Sequence, residues 1–228
     1  MGPNGQPRVE ALWRETLRQG LHIAAALFII PLRWLGFKYA IGFAVIAFFW
    51  NLLAMPGLFR ATLRADEKAK GYSPGMLAYS VSILVLAVFF PVPVLAAAWA
   101  VLSVSDGLAT LSGKLFGKKP LCWNKDKTWT GSIAFFSSAT VFGWLAFLMT
   151  AGNPGSSPIA MGLPFPALSG PPLNAFMVFA ASLGAALISA LAESLPLRKI
   201  NDNLLAPVCY ALTLALLLKA VAALVAPA

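Results

Sequence analysis

The sequence predicts an all-α, polytopic integral membrane protein of about seven transmembrane helices with a cytoplasmic N-terminus. Three observations carry that prediction. First, 59% of the 228 residues are hydrophobic and only 11% are charged, with mean hydropathy +0.79. A soluble domain carries about 25% charged residues to cover its surface. Second, the apolar runs are continuous and about 20 residues long, the length a helix needs to cross about 30 Å of hydrocarbon; a barrel would alternate in strands of about ten. With no water in hydrocarbon to satisfy the backbone, such runs must be helical. Third, the cations collect in alternate loops. Net charge +9 in that distribution is explained by the positive-inside rule rather than by nucleic acid.

Residues 1–7 read as disordered, and residues 8–19 as an amphipathic entry helix carrying Arg8, Glu10, Arg14, Glu15 and Arg18. No cleavable signal is apparent in it. Spans follow at about 20–36 and 37–55, then a polar loop from Pro56 to Pro74. The third span, about 75–90, stops at Pro91 and Pro93, and the fourth covers about 94–113. A lysine-rich loop at 114–128 leads to the fifth span at 129–150. The loop 151–173 is uncharged and rich in Gly, Pro and Ser. The sixth span is 174–195 and the seventh 204–226, joined by a loop with Arg198, Lys199 and Asp202. The chain forms one transmembrane domain without internal repeats. With seven spans, fourteen cations fall on one side and only Arg33, Lys38 and Lys219 on the other, which puts the N-terminus inside. The eight carboxylates lie on or near that same side, which topology alone does not require. The working face is therefore expected at the cytoplasm. Cys122 and Cys209 have no metal-ligand spacing and read as free thiols.

Asp106 marks the site. The run 94–105 is too short to span the bilayer, so the helix must continue through Asp106 and carry a carboxylate inside the membrane boundary, where such groups are usually functional. Asp106, Thr110 and Gly113 share one face at i, i+4 and i+7. The bland alternative is an acid paired with a lysine for packing. Gly107, Gly113, Gly117 and Gly131, with Lys114, Lys118, Lys119, Lys125 and Lys127, suit a polyphosphate. The lysines suit a topology-setting, headgroup-facing cluster equally well. The segment is not a P-loop: five residues rather than four separate Gly107 from Gly113-Lys114, and Leu115 stands where Ser or Thr belongs. Glu15, Arg18 and His22, the only histidine, lie on one face of the entry helix. Glu15 can pair with Arg18 while His22 points into the bundle, as a proton acceptor or as a structural histidine. Glu193, Asp202 and Asn203 flank a proline-broken loop. The two acids share no helix face, yet a turn could bring both to a Mg²⁺-nucleotide site.

Three stretches together resemble the CTP-dependent polyprenol kinase family, which includes dolichol and phytol kinases. Glu15-Thr16-Leu17-Arg18-Gln19-Gly20-Leu21-His22 is similar to its N-terminal E-x-x-R-K-x-x-H signature, with Gln19 in place of lysine. The central match runs from Asp106-Gly107 through Gly113-Lys114, Gly117 and Lys125 to Lys127-Thr128-Trp129-Thr130-Gly131-Ser132. The third is Glu193 followed by Asp202-Asn203-Leu204 and Pro207. The resemblance implies transfer of the γ-phosphoryl of CTP to a membrane isoprenoid alcohol. It implies Mg²⁺ on Asp106 and Asp202, with Glu193 behind them or as a further ligand. Lys114, Lys127, Thr128 and Ser132 would hold the phosphates, within a segment that includes Gly107, Gly113, Gly117, Lys125 and Gly131. Asn203 would meet the base, ribose or metal. His22 or a nearby carboxylate would take the alcohol proton, with Arg18, beside Glu15, neutralising charge. Two alternatives stand beside it. Phosphatidate cytidylyltransferases share a related central segment, but their Gly/Asp-rich C-terminal signature is missing. A small ion-coupled transporter would spread its ionisable groups toward mid-bilayer and both faces. Small residues Gly184, Ala185 and Ala186 allow tight helix packing, including that of a homodimer.

Overall fold

The computed structural model describes residues 8–58, 63, 65–153, 155, 174–196 and 201–225, which form helices and turns with no strand among them. Among the described residues, five helices are long and apolar enough to cross a membrane. They are α2 (Phe37–Ala54), α5 (Val92–Phe116), α6 (Trp129–Thr150), α7 (Ala175–Ser194) and α8 (Asp202–Val225). A shorter apolar helix, α4 (Pro74–Phe89), precedes α5, and a one-and-a-half-turn α3 (Ala65–Lys70) lies in the loop before it. The first helix, α1 (Arg8–Ala24), runs as expected without a break from the charged lead-in into the apolar stretch, and it continues as a 3₁₀ segment over Ala25–Arg33. Pro31 lies in that segment and has no backbone N–H to give. The expected disordered tail, most of the loop 151–173 and Arg198 and Lys199 lie outside the described residues.

The ends of the spans have local causes. The Thr128 hydroxyl accepts from Gly131 N at 3.2 Å to cap α6, and Asn174 Oδ1 accepts from Met177 N at 2.8 Å to cap α7. Pro74 and Pro91 sit at helix starts, where a missing N–H costs nothing.

α5 is the axis. Of its apolar window 78% is buried within the chain, against 11% to 44% for the other spans. Trp99 and Phe135, both fully buried, anchor α5 on α6, and Tyr210 of α8 completes the core beside α7. Ala185 and Ala186 are fully buried in this core, and a Cβ on Gly184 would lie 2.8 Å from Leu217 Cδ1. The small residues of α7 are therefore used to pack α8 within the chain. Gly143 of α6 has the tightest side-chain neighbour: a Cβ there would press on the Tyr210 hydroxyl and come within 2.7 Å of Cζ. Tyr210 is fully buried and has no room to retreat. Gly143→Ala is expected to lower stability by about 1–3 kcal/mol, the cost of overpacking a filled core. Thermal unfolding of the purified variant measures it.

Candidate functional site

α1 runs antiparallel to α5, and this pairing assembles the first half of the site. At the start of the pair, Lys114 Nζ lies 2.9 Å from Glu15 Oε2, while Arg18 and Gln19 donate to Glu15 Oε1 at 2.5 and 3.0 Å. A turn further on, Gly107 lets the helices close: a Cβ would sit 2.6 Å from Ile23 Cγ1. At the end, His22 Nε2 is 2.8 Å from the Leu102 carbonyl and 3.5 Å from Asp106 Oδ2.

The Leu102 carbonyl belongs to a π-helical turn, Val101–Ser105, immediately before Asp106. Such turns cluster at functional sites because the widened backbone offers groups an α-helix would keep to itself. A carbonyl only accepts, so Nε2 carries the proton and the lone pair resides on Nδ1. The imidazole ring is also braced edge-on by Tyr79, centroids 4.9 Å apart. Tyr79 is itself fixed: Trp99 Nε1 donates to its hydroxyl at 2.7 Å, which leaves that hydroxyl to donate to Ser103 Oγ at 2.7 Å.

The second half comes from the lysine-rich loop. α5 extends to Phe116 and the loop proper is 117–128. It is a closed turn, with Leu121 N donating to Lys127 O at 2.9 Å and Trp129 N to Lys119 O at 3.1 Å. Trp123 Nε1 and Asn124 Nδ2 donate to Ser194 Oγ and O, both at 3.1 Å. This docking on the end of α7 delivers Lys127 to two carboxylates, bonding Glu193 Oε1 and lying 2.8 Å from Asp202 Oδ2. The acids that share no helix face are thus joined by one ammonium. Burial alone would lower the Lys127 pKa, but Glu193 and Asp202 hold it well above the ordinary lysine range.

One cavity of about 770 Å³ joins the halves. Arg18, His22, Asp106, Thr110, Lys114, Lys127 and Asp202 face its polar part, and Leu21, Ala25, Phe43, Ala47 and Trp50 its apolar part. Residues from all three sequence stretches therefore meet in one space. Others do not reach it. Gly113 and Gly131 pack the start of α6 on α5, with a Gly113 Cβ falling 3.0 Å from Thr128 Oγ1 and a Gly131 Cβ 3.0 Å from Ala109 O. Gly117 is crowded by Gly113 O and by Thr128, 2.7 Å away. These glycines, with Gly107, permit close contact between the elements of the site. Thr128 is spent as a cap, Ser132 lies on the first turn of α6, and Lys125 is exposed. Asn203 lines the cavity, but its amide is tied to Gly75 O at 2.9 Å. Sequence reasoning overlooked Glu67, Asn51 and Tyr79, which line the same space; lying in apolar or loop segments, they carry no spacing signal.

For a divalent cation, the donor set is informative. Among the described residues no three His, Cys, Asp or Glu group closely enough to hold a metal unaided, and Glu193 is taken by Lys127 behind the cavity wall. Asp106 and Asp202 do face the cavity. That fits a Mg²⁺ bound by one or two carboxylates and completed by phosphate oxygens and water, not a closed protein cage.

Glu15 gives the site its pH signature. Burial pushes its carboxyl up, but Arg18, Lys114 and Gln19 outweigh this and bring it down to about 2. A depressed pKa stabilises the fold above the unfolded value of 4.5 and is lost as pH falls toward 2. Its full size is about 3 kcal/mol. The thermal midpoints of wild type and Glu15→Gln should stay a constant distance apart from pH 7 to about 4.5 and converge below it. Comparison with family models, curated proteins and solved structures gave no match to this chain.

Proposed function

We propose that the protein is a CTP-dependent kinase that phosphorylates a membrane isoprenoid alcohol on the cytoplasmic side. The observation that carries this reading is the single cavity in which Arg18, Lys114 and Lys127 face Asp106, Asp202 and His22, with an apolar arm beyond them. Cations and carboxylates in one space suit a magnesium-bound polyphosphate, and the apolar arm suits a hydrophobic acceptor.

In this reading Lys114, Lys127 and Arg18 bind the phosphates, and Asp106 and Asp202 would hold Mg²⁺. The bound cation would neutralise charge on the transferred phosphoryl group and the leaving diphosphate. His22 Nδ1 takes the proton of the alcohol as its oxygen bonds to the γ-phosphorus and the bond to the β-phosphate oxygen breaks, releasing CDP. Asp106, 3.5 Å from Nε2, steadies the imidazolium that results. The Leu102 carbonyl and Tyr79 hold the ring in place through the step. Such chemistry depends on positioning and electrostatics more than on covalent catalysis.

The test uses purified protein with Mg²⁺ and CTP labelled on either the γ- or the α-phosphate, offered with isoprenoid alcohols and separately with phosphatidate. The alcohol is expected to gain the γ label only. Transfer of the α label to phosphatidate would establish a cytidylyltransferase instead, and no transfer of either label would overturn both.

A further inference from the structure

The apolar arm has a direction. Along α1 and the first residue of its 3₁₀ continuation, Arg18, Leu21, His22 and Ala25 fall at i, i+3, i+4 and i+7, so the cavity wall passes from cation to imidazole to alkyl side chain. On α2, Phe43, Ala47 and Trp50 fall at i, i+4 and i+7 and line the same space. Phe43 closes the inner end, its ring 4.9 Å from buried Trp99 and 4.6 Å from Phe28. The outer end is open. Leu21 and Trp50 line the cavity and are nevertheless 43% and 48% exposed. They belong to a flank formed by α2, which is long and apolar enough to cross a membrane and is only 11% buried within the chain. The rim is also fixed in place: Trp50 begins a π-helical turn, and Asn51 beside it donates to Met76 O and Ser80 Oγ at 3.1 and 3.2 Å.

We propose that the gap between α1 and α2 is a side entrance for a single hydrocarbon chain. It grips the part of the acceptor next to the hydroxyl, along Ala25, Phe43, Ala47 and Trp50, and leaves the remainder in the surrounding lipid. This rests on the kinase reading for the identity of the acceptor, and it adds where the chain lies and what is selected. A closed pocket would measure the whole chain. A lateral opening reads only the segment inside it, so acceptors of very different length are used alike once the gripped segment is filled.

Two measurements test it. The protein in nanodiscs, without CTP, is irradiated with an isoprenoid alcohol bearing a diazirine on the unit nearest the hydroxyl, and the adducts are mapped by peptide sequencing. Adducts at 21–25 and 43–50, competed by the unlabelled alcohol, are expected. Adducts confined to the outer faces of α7 and α8, or none competed, overturn the entrance. This map needs no turnover, so it decides the entrance even if no alcohol is phosphorylated and the kinase reading fails. Where transfer is seen, Ala47→Trp should raise the KM for a long-chain alcohol by about tenfold or more, about 1.4 kcal/mol of lost chain contact, and leave the KM for CTP unchanged. kcat/KM should be flat across longer chains. A sharp upper length limit, or a two-chain diacyl alcohol accepted equally well, overturns it.

Discussion

Asp106→Asn is expected to lower phosphoryl transfer by at least about 10³-fold, near the upper range for removing one electrostatic contact to a transition state, in a protein that stays folded. The amide has the shape of the carboxylate, so the close approach of α1 at Gly107, where Ile23 fills the space a Cβ would take, is untouched. The π turn before it is held by backbone and by the His22 bond to Leu102, not by the carboxylate. On the kinase reading two functions would be lost together: an anionic ligand for a cation shared with phosphate, and the carboxylate 3.5 Å from His22 Nε2. The measurement is γ-label transfer by wild type and variant at matched monodispersity, with CTP binding followed separately. Activity within tenfold of wild type would remove Asp106 from the chemistry and reduce it to a packing acid.

The limits of the apolar helices from Phe37 onward were legible in the sequence to within about three residues, because length and apolarity mark them and nothing subtler is needed. Continuation of α5 through Asp106 followed from the same arithmetic, and Val92–Phe116 is continuous. The pairing of Glu15 with Arg18 was legible from i, i+3 spacing. What the glycines approach was not legible, for a physical reason. Glycine permits close approach without naming the neighbour, and here the neighbours are Ile23, Thr128 and the Ala109 carbonyl. The π turn at Val101–Ser105 has no compositional mark, so neither the His22–Leu102 bond nor the Tyr79 brace could be foreseen. The change from α to 3₁₀ geometry at Ala25 was not legible, because it falls inside a continuous apolar stretch with nothing in its composition to mark it. The joining of Glu193 to Asp202 depends on where the loop docks, a tertiary fact set by Trp123 and Asn124 on Ser194.

That docking makes Lys127 a tie between the loop and the ends of two helices, α7 at Glu193 and α8 at Asp202. Lys127→Met is expected to destabilise the protein by about 3 kcal/mol, the lower end of the cost of stranding one member of a buried ion pair. For a chain of this size that is about 6–12 °C in Tm. The two acids do not share the penalty equally. The Glu193 side chain is 5% exposed and cannot recruit water, whereas Asp202 is 36% exposed and can. The double variant Lys127→Met/Glu193→Gln should therefore recover most of the lost stability, and pairing with Asp202→Asn should recover little. Activity separates the two roles of the cluster. Glu193→Gln alone should retain turnover within about tenfold, because Glu193 lies behind Lys127 rather than in the cavity. On the kinase reading the rescued double variant should remain impaired, with a raised KM for CTP, because the ammonium that faces the cavity is gone and its loss would weaken phosphate binding by about 1.5–3 kcal/mol. Thermal unfolding and steady-state transfer on the same preparations decide it. If Glu193→Gln were as inactive as Asp106→Asn, Glu193 would be a cation ligand and the Lys127 clamp a resting arrangement that opens when nucleotide binds. If the double variant regained full turnover, Lys127 would be a structural tie alone, and phosphate contact would fall to Arg18 and Lys114.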